Sequence, residues 1–166
     1  MSGPPPATEA VELREADWRD IPAMAEVERR AFGQDPWSEG TLWAELAQRP
    51  RRAYLVAGRP GTAAGGELLG HAGLDLGGEV ADVMTVAVDP SARGQGLGGR
   101  LLAALHERAR GSGALSIMLE VRADNDPALG LYGTRGYTVV RTRPGYYRDV
   151  TGAAPVDALV LRKELV

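Results

Sequence analysis

The chain has 166 residues, no cysteine, two histidines and a formal net charge of −3 at pH 7. This length suits one domain that folds without disulfide bonds or structural metals. The lack of cysteine excludes disulfide frameworks, cysteine-ligated metal centres and thiol catalysis. The two histidines, His71 and His106, are isolated in the sequence, and we therefore expect no metal site.

Charge and hydropathy also limit the partners and the location. A slightly negative chain provides no general basic field for direct binding of nucleic acid. No stretch of about 18 apolar residues is present to span a membrane, and residues 1–10 lack the basic and apolar regions of a signal peptide. We therefore expect a cytoplasmic protein with no membrane partner and no direct nucleic-acid partner.

The first ten residues differ in composition from the rest of the chain. They contain Pro4-Pro5-Pro6, and we expect residues 1–10 to be a flexible leader and residues 11–166 to form a single domain. Apolar periodicity, caps and turn residues predict the elements of that domain. In chain order these are a strand at 11–14, a helix from 17 to about 30, a helix after 38, strands at 52–58, 68–76 and 80–88, a helix ending near 110, a strand at 115–121, a short helix from 125 or 126, and strands at 137–143 and 158–162.

Two helices carry particular expectations. Asp17 is the expected N-cap of the first helix, and Ser38 is the expected N-cap of the second. The apolar face of the first helix is expected to contain Ile21, Met24, Val27 and Phe32.

This order of elements predicts an α/β (α+β) fold with a mixed sheet of about seven strands and about four helices, placed on both faces. Residues 80–121 form one β-loop-α-β unit within it. We expect its two strands to be parallel and its crossover to be right-handed.

The segment SARGQGLGGRLLAAL, residues 91–105, concentrates glycine directly before a predicted helix. Gly94, Gly96 and Gly99 fit the spacing G-x-G-x-x-G of a dinucleotide-binding loop, and Glu120 lies about where that motif needs an acidic residue. However, residues 89–93 separate the predicted strand from Gly94, and too few residues follow Glu120 for the serial βα units of that fold. A nucleotide-dependent oxidoreductase is therefore the weakest functional hypothesis.

A loop that holds the pyrophosphate of coenzyme A is the stronger hypothesis. Consecutive N–H groups at a helix N-terminus attract phosphate, and glycines allow phosphate to approach the backbone closely. Arg93 or Arg100 would add positive charge. A plain helix N-terminus that happens to be rich in glycine is the structural alternative.

Four segments together resemble one enzyme family. VAVDPSARGQGLGGRLL resembles motif A of the GNAT acetyltransferases. LEVRADNDPALGLYGTRGY resembles the RimI subfamily, which acetylates the N-terminal alanine of ribosomal protein S18, and DPWSEGTLWAEL and RPGYYRDV resemble two further segments of that subfamily. The resemblance covers residues 11–165 in register, apart from the turn GTAAGG.

The resemblance implies acetyl-CoA as the cosubstrate. It implies that the backbone of residues 86–88 holds the acetyl group and the pantetheine arm, and that residues 94–99 hold the pyrophosphate. Asn125 is expected to contact the coenzyme, and it fits a helix cap equally well. The residues implied in coenzyme binding are Val86, Ala87, Val88, Arg93, Gly94, Gln95, Gly96, Leu97, Gly98, Gly99, Asn125 and Tyr132.

Glu120 is the candidate general base. By strand alternation it shares a face with Ser116 and Met118, on a strand that we expect to be central and covered on both faces, where a carboxylate is unusual. From the residues alone, a base and a strand-end carboxylate paired with Arg122 or Arg141 are equally supported. The resemblance implies the base, acting directly or through water, because the subfamily has its catalytic glutamate in L-E-V-R.

Tyr132 is the candidate general acid. A phenol with a pKa near 10 can protonate a departing thiolate, although a tyrosine on a short helix is more often an aromatic anchor. In the family pattern N-x-x-A-x-x-L-Y-x-x-x-G-[FY] the tyrosine is the acid, and the sequence matches this pattern from Asn125 to Tyr137.

Trp37, Tyr146 and Tyr147 resemble the walls of the subfamily's peptide site. The two tyrosines are expected between the last two strands, and Trp37 is equally compatible with core packing. The resemblance implies transfer of an acetyl group from acetyl-CoA to the α-amine of a protein N-terminus, with the N-terminal alanine of ribosomal protein S18 as the expected substrate.

Two alternatives remain for this function. A GNAT enzyme that acts on protein lysines or on a small-molecule amine has the same fold and the same coenzyme loop. A non-catalytic acyl-CoA sensor belongs to another functional class, and the presence of both Glu120 and Tyr132 argues against it.

Overall fold

The computed structural model describes residues 11–33, 35–148 and 151–166, so the predicted leader at residues 1–10 lies outside the described residues. The described residues form seven strands and four α-helices, in an order close to the predicted one. The elements are β1 (Glu12–Glu15), α1 (Ile21–Phe32), α2 (Glu39–Leu46), β2 (Arg52–Gly58), β3 (Gly70–Asp75), β4 (Val80–Val88), α3 (Leu97–Gly111), β5 (Ser116–Arg122), α4 (Asp126–Gly133), β6 (Thr138–Tyr147) and β7 (Val156–Glu164).

The strands form one mixed sheet in the order β1-β2-β3-β4-β5-β7-β6. β1 and β2 are antiparallel, β4 and β5 are parallel, and β7 is antiparallel to both β5 and β6. The parallel pair is the one connected through the glycine loop and α3, since parallel strands need a long crossover. The sheet and its four helices confirm the predicted fold class.

The chain divides into two compact units. The first comprises the described residues up to Gly73 together with Thr85–Ala104, and the second comprises Leu74–Met84 together with Leu105–Val166. The glycine loop and Trp37 therefore belong to the first unit. Glu120, Tyr132 and the tyrosine pair Tyr146 and Tyr147 belong to the second.

In the first unit, the apolar face of α1 is buried over most of its length. Ile21, Met24 and Val27 are at most 1% exposed, as expected. Phe32 was expected on this face but is 42% exposed. It is the last residue of α1, and the chain leaves the helix at Gly33, which has a φ of +50°. Phe32 therefore lies at the end of the helix, where its side chain stays largely exposed to solvent.

The caps of these helices largely follow the prediction. Ser38 caps α2, and its hydroxyl accepts a hydrogen bond from the Thr41 backbone N–H at 3.1 Å. Asp17 caps a 3-10 turn, Trp18–Asp20, which leads into α1, rather than capping α1 itself. No helix in the described ranges is long and apolar enough to cross a membrane.

In the second unit, the two faces of β5 differ. The face that carries Ile117 and Leu119 is buried. On the other face Ser116 is buried, Met118 is half-buried and Glu120 is exposed. The expectation that β5 is buried on both faces is therefore wrong at Glu120. On that face the side chains become exposed to solvent towards the carboxyl end of the strand.

β6 is longer than predicted and extends to Tyr147, so the tyrosine pair lies within this strand rather than between the last two strands. Its pairing with β7 is interrupted by two register shifts, one between Val139 and Arg141 and one between Arg143 and Tyr147. Such bulges add residues to one strand and change the direction of the side chains that follow.

Candidate active site

A short turn at the end of β4 leads into the glycine loop. Asp89 caps the 3-10 turn Pro90–Ala92, and its carboxylate accepts hydrogen bonds from the Ser91 backbone N–H at 3.0 Å and from the Ser91 hydroxyl at 2.7 Å. The Arg30 guanidinium donates a third bond at 3.1 Å. Burial raises the pKa of Asp89, but these bonds outweigh it and hold the pKa below its usual value. Asp89 is therefore a charged carboxylate whose hydrogen bonds hold the turn at the start of the loop.

The glycine loop turns through its backbone conformation. Gly94 and Gly96 have φ angles of +74° and +79°, which residues with a side chain rarely adopt. A Cβ at either position would meet nothing within 4 Å, so conformation rather than space favours glycine there. α3 begins at Leu97, whose side chain is buried. The first N–H groups of a helix have no partner within it, and such a helix start is suited to a phosphate.

Two arginines near the loop donate hydrogen bonds to main-chain carbonyls. Arg93 donates to the Ala31 carbonyl at 3.2 Å, and Arg100 donates to the Val11 carbonyl at 2.7 Å. Both side chains are exposed, so they add positive charge at the surface beside the loop. The Gln95 amide donates a hydrogen bond back within the loop at 3.3 Å.

The last residues of β4 are closely packed. Ala87 is fully buried, and Val86 and Val88 are half-buried. A Cβ at Gly70 of β3 would lie 2.8 Å from the Ala87 carbonyl oxygen, so the close approach of the two strands requires glycine. The predicted acetyl-binding segment is therefore packed closely against β3 at Ala87.

Glu120 lies near the carboxyl end of β5, and its partner is Arg143 of β6. Glu120 Oε1 is 3.0 Å from Arg143 Nη1, and the two side chains are 36% and 37% exposed. If Glu120 is paired, the sequence predicted Arg122 or Arg141 as its partner. The structure corrects this to Arg143, whereas Arg122 pairs with Asp124 at 3.0 Å.

The first register shift of β6 explains this partner. Glu120 and Arg141 both lie opposite Val160 of β7, so Arg141 and, two residues further, Arg143 share the face of Glu120. One extra residue is inserted between Val139 and Arg141. Without it, strand alternation would turn Arg143 to the other face of the sheet.

The tyrosine pair lies with Glu120 and two arginines. The rings of Tyr146 and Tyr147 meet edge to face, with their centroids 5.2 Å apart. Arg143 lies over Tyr146 and Arg122 lies over Tyr147, each 5.1 Å from the ring centroid. Burial and the negative charge of Glu120 raise the pKa of Tyr147. The structure thus brings the candidate base and the predicted peptide-site tyrosines into one group, which we name the Glu120 cluster.

Tyr132 is buried in α4 and is 9% exposed. Asn125 caps this helix, and its side-chain oxygen accepts the Ala128 N–H at 3.2 Å. Burial raises the pKa of Tyr132 to about 12, and its ring meets Tyr137 edge-on with the centroids 5.6 Å apart. Across the described part of the chain, no hydrogen bond or ring contact joins Tyr132 to Glu120.

Trp37 is half-buried, and its backbone N–H donates to Glu28 at 3.3 Å. The Glu28 carboxylate is buried, also accepts the Thr85 hydroxyl at 3.1 Å, and lies 3.4 Å from His71 Nε2. Glu28 was not among the predicted site residues. Its position seven residues after Ile21, on the apolar face of α1, was the signal that could have found it. Within the residues that the structure describes, no group of three or more acidic or histidine side chains could hold a metal ion.

Most of the chain matches one protein family. The sequence pattern described as the acetyltransferase (GNAT) family matches residues 12–137. The chain belongs to the GNAT acetyltransferase family. The matched range includes the glycine loop, Glu120 and Tyr132, and it ends before Tyr146 and Tyr147.

Similar proteins of known name indicate which group of this family the chain resembles. The chain is 39% identical over 162 residues to N-alpha-acetyltransferase RimI of Mycobacterium tuberculosis, covering 95% of this chain and 94% of the relative. It is 31% identical over 142 residues to the ribosomal protein bS18-alanine N-acetyltransferase of Escherichia coli, covering 86% and 89%. The crystal structure of the E. coli ribosomal-protein-S18-alanine N-acetyltransferase aligns with a TM-score of 0.83 at 28% identity over 94% of each chain. The predicted RimI-like N-acetyltransferase is thus confirmed.

Proposed function

We propose that this protein moves an acetyl group from acetyl-CoA to the α-amine of a protein N-terminus, and that its substrate is the N-terminal alanine of ribosomal protein S18. The Glu120 cluster carries this proposal, because it joins the candidate base to Tyr146 and Tyr147 through Arg143. A carboxylate beside aromatic side chains suits a flexible chain end that presents one amine. The names of the RimI-type relatives support the substrate class.

Glu120 is proposed to deprotonate the amine. An α-amino group has a pKa of about 7.7–8.0, against about 10.4 for lysine, so a carboxylate acting directly or through one water is sufficient. The neutral amine then attacks the thioester carbon and forms the C–N bond, and the positively charged nitrogen that results loses a proton to solvent as the amide forms. Negative charge develops on the thioester oxygen, and the backbone of residues 86–88 is the proposed hydrogen-bond donor that stabilises it.

Tyr132 is proposed to protonate the leaving group. When the C–S bond breaks, the electron pair remains on sulfur, and the phenol of Tyr132 donates its proton to give the thiol of coenzyme A. Burial raises the pKa of this phenol to about 12, and at neutral pH the phenol is protonated, as it also is at the ordinary value near 10. The tyrosinate then recovers a proton from solvent.

The proposed coenzyme site is the glycine loop, residues 94–99, with Arg93 and Asn125 as further contacts. The positive φ angles of Gly94 and Gly96 and the exposed N–H groups expected at the start of α3 suit a pyrophosphate. A ribosomal protein substrate would also place the reaction in the cytoplasm.

Mass spectrometry can test the proposed reaction. The protein is mixed with acetyl-CoA and a peptide that carries the N-terminal sequence of ribosomal protein S18. The expected product has one acetyl group, on the α-nitrogen of the first residue. The matched control is the same peptide with its α-amine already blocked and its lysines free, and we expect it to remain unmodified.

Two results would contradict the proposal and support its alternatives. Acetylation of the blocked peptide on a lysine would indicate a lysine acetyltransferase. Binding of acetyl-CoA without transfer to a peptide or a small-molecule amine would indicate an acyl-CoA sensor.

A further inference from the structure

The geometry points to Glu28 as a positioning residue that holds Trp37 in the peptide-binding site. This inference rests on the proposed function, in which Trp37 is one wall of that site. Glu28 lies on α1, and Trp37 lies in the short segment between α1 and α2. Glu28 is not proposed to touch the reacting atoms, and it acts through Trp37.

The Glu28 carboxylate joins two segments that are proposed to serve the reaction. Its Oε2 accepts the Trp37 backbone N–H at 3.3 Å, and its Oε1 accepts the Thr85 hydroxyl at 3.1 Å. Thr85 lies on β4 immediately before residues 86–88, the proposed acetyl-binding segment. Through these two hydrogen bonds, Glu28 connects the main chain at Trp37 to β4. The residues of β4 that follow Thr85 are proposed to hold the acetyl group.

The environment of Glu28 argues for a specific role. The residue is 1% exposed, and burial raises its pKa. His71 is also buried, and burial lowers its pKa to about 4, so it lies beside Glu28 as a neutral ring at neutral pH. A buried carboxylate beside a neutral partner is destabilising, and an apolar side chain would suit the apolar face of α1 better. The bonds to Trp37 and Thr85 explain what the carboxylate does there.

The bond to Trp37 involves its backbone rather than its indole. It therefore fixes the main chain of the segment before α2, and the position of the indole follows from it. A small displacement of a substrate-positioning residue can lower the productive binding of a substrate considerably. Loss of the Trp37 contact should consequently act on the peptide, and loss of the Thr85 contact should act more weakly on residues 86–88.

Steady-state kinetics of two Glu28 variants test this role. Glu28→Leu removes both acceptors but keeps a side chain of similar size. We expect the KM for the peptide to rise about tenfold, and the KM for acetyl-CoA, which is affected only by the lost Thr85 bond, to rise by less. Glu28→Gln should restore the native KM, because its amide oxygen can accept the Trp37 N–H while its NH2 group donates to the Thr85 hydroxyl. The matched control is Glu45→Leu. Glu45 accepts the Tyr54 hydroxyl at 2.7 Å, and its loss should lower Tm without changing either KM.

A second readout needs no turnover. In a Trp18→Phe, Trp43→Phe background, Trp37 is the remaining tryptophan of the three in the chain, and acrylamide quenching reports its exposure. We expect Glu28→Leu to increase the quenching and Glu28→Gln to return it to the native level. Glu28→Asp is shorter by one methylene group and should behave like Glu28→Leu, and it provides the test if the leucine variant does not fold.

Unchanged quenching and an unchanged peptide KM in a folded Glu28→Leu or Glu28→Asp protein would overturn the positioning role. Equal defects in Glu28→Gln and Glu28→Leu would also overturn it, because the charge rather than the hydrogen bond to Trp37 would then matter. If the native protein acetylates no peptide, the proposed function fails, whereas the quenching comparison still determines whether Glu28 positions Trp37.

Discussion

The glycine loop and the Glu120 cluster use different parts of the chain for their proposed roles. In the loop, Gly94 and Gly96 contribute positive φ angles, and the start of α3 contributes N–H groups, so the backbone is the proposed binding surface. In the cluster, the side chains of Glu120 and Arg143 form an ion pair, and the proposed base is a side-chain carboxylate. A backbone site depends on local conformation. A side-chain site depends on strand register, because register determines which side chains meet.

The largest expected effect lies in the Glu120 cluster. Glu120→Gln preserves the shape of the side chain but removes its basicity and its ion pair with Arg143. We expect kcat for the peptide to fall about 10³-fold, as for loss of a general base, while calorimetry shows an unchanged affinity for acetyl-CoA. The matched control, Glu164→Gln, breaks an exposed ion pair with Arg162 at 2.7 Å and should change kcat by less than about twofold. A native kcat in Glu120→Gln would exclude Glu120 as the base.

The same contrast explains what the sequence could predict about the site. The position of the loop was predictable because a positive φ favours glycine, and the glycines at 94 and 96 can be read directly from the sequence. The partner of Glu120 was not predictable in this way. Arg143 meets Glu120 because one residue is inserted in β6 between Val139 and Arg141, and no local pattern marks that insertion.

The fold shows a similar division between the elements and their ends. Apolar periodicity predicted the strands and helices, and the cap at Ser38 was predicted from its residue type. The ends were less predictable because they depend on tertiary packing. β6 continues through Pro144 and Gly145, a pair that is typical of turns, and it reaches Tyr147 by means of its second register shift.

Tyr132→Phe should give the second-largest effect. The variant keeps the ring that meets Tyr137 but removes the phenol proton, and we expect kcat to fall about 10²-fold with little change in stability. The control is Tyr137→Phe, which removes a hydroxyl bonded to His106 at 2.8 Å. It should cost about 1 kcal/mol of unfolding free energy and leave kcat within about threefold. Equal losses of kcat in both variants would indicate that packing around α4, rather than proton donation, limits the reaction.

Acid should destabilise both units, since each contains a buried histidine. Burial lowers the pKa values of His71 and His106 from 6.5 to about 4. The unfolded chain therefore binds protons first as the pH falls, and stability that is present above pH 6.5 is lost between pH 6.5 and about 4. For His71 the loss is about 2 kcal/mol between about pH 7.5 and pH 5.

Urea unfolding at these two pH values measures this loss. His71→Gln should have a weaker pH dependence than the native protein, and His106→Gln provides the same comparison in the second unit. The raised pKa of Glu28 has the opposite pH dependence, and Glu28 lies 3.4 Å from His71. His106, which bonds to the Tyr137 hydroxyl, therefore gives the cleaner comparison. Equal stability of the native protein at both pH values would contradict the predicted sign.

The smallest expected effect tests the backbone side of the comparison. Alanine at Gly96 would have open space for its Cβ but would have to adopt a φ of +79°, which costs about 1 kcal/mol. We expect the Kd for acetyl-CoA to rise about fivefold and kcat at saturation to stay unchanged. Gly111→Ala is the control, since Gly111 ends α3 in open space without a positive φ, and it should leave the Kd unchanged. An unchanged Kd in Gly96→Ala would mean that the affinity for acetyl-CoA does not depend on the backbone conformation of the loop. A raised Kd there, with a lowered kcat in Glu120→Gln, would separate binding through the backbone from catalysis through side chains.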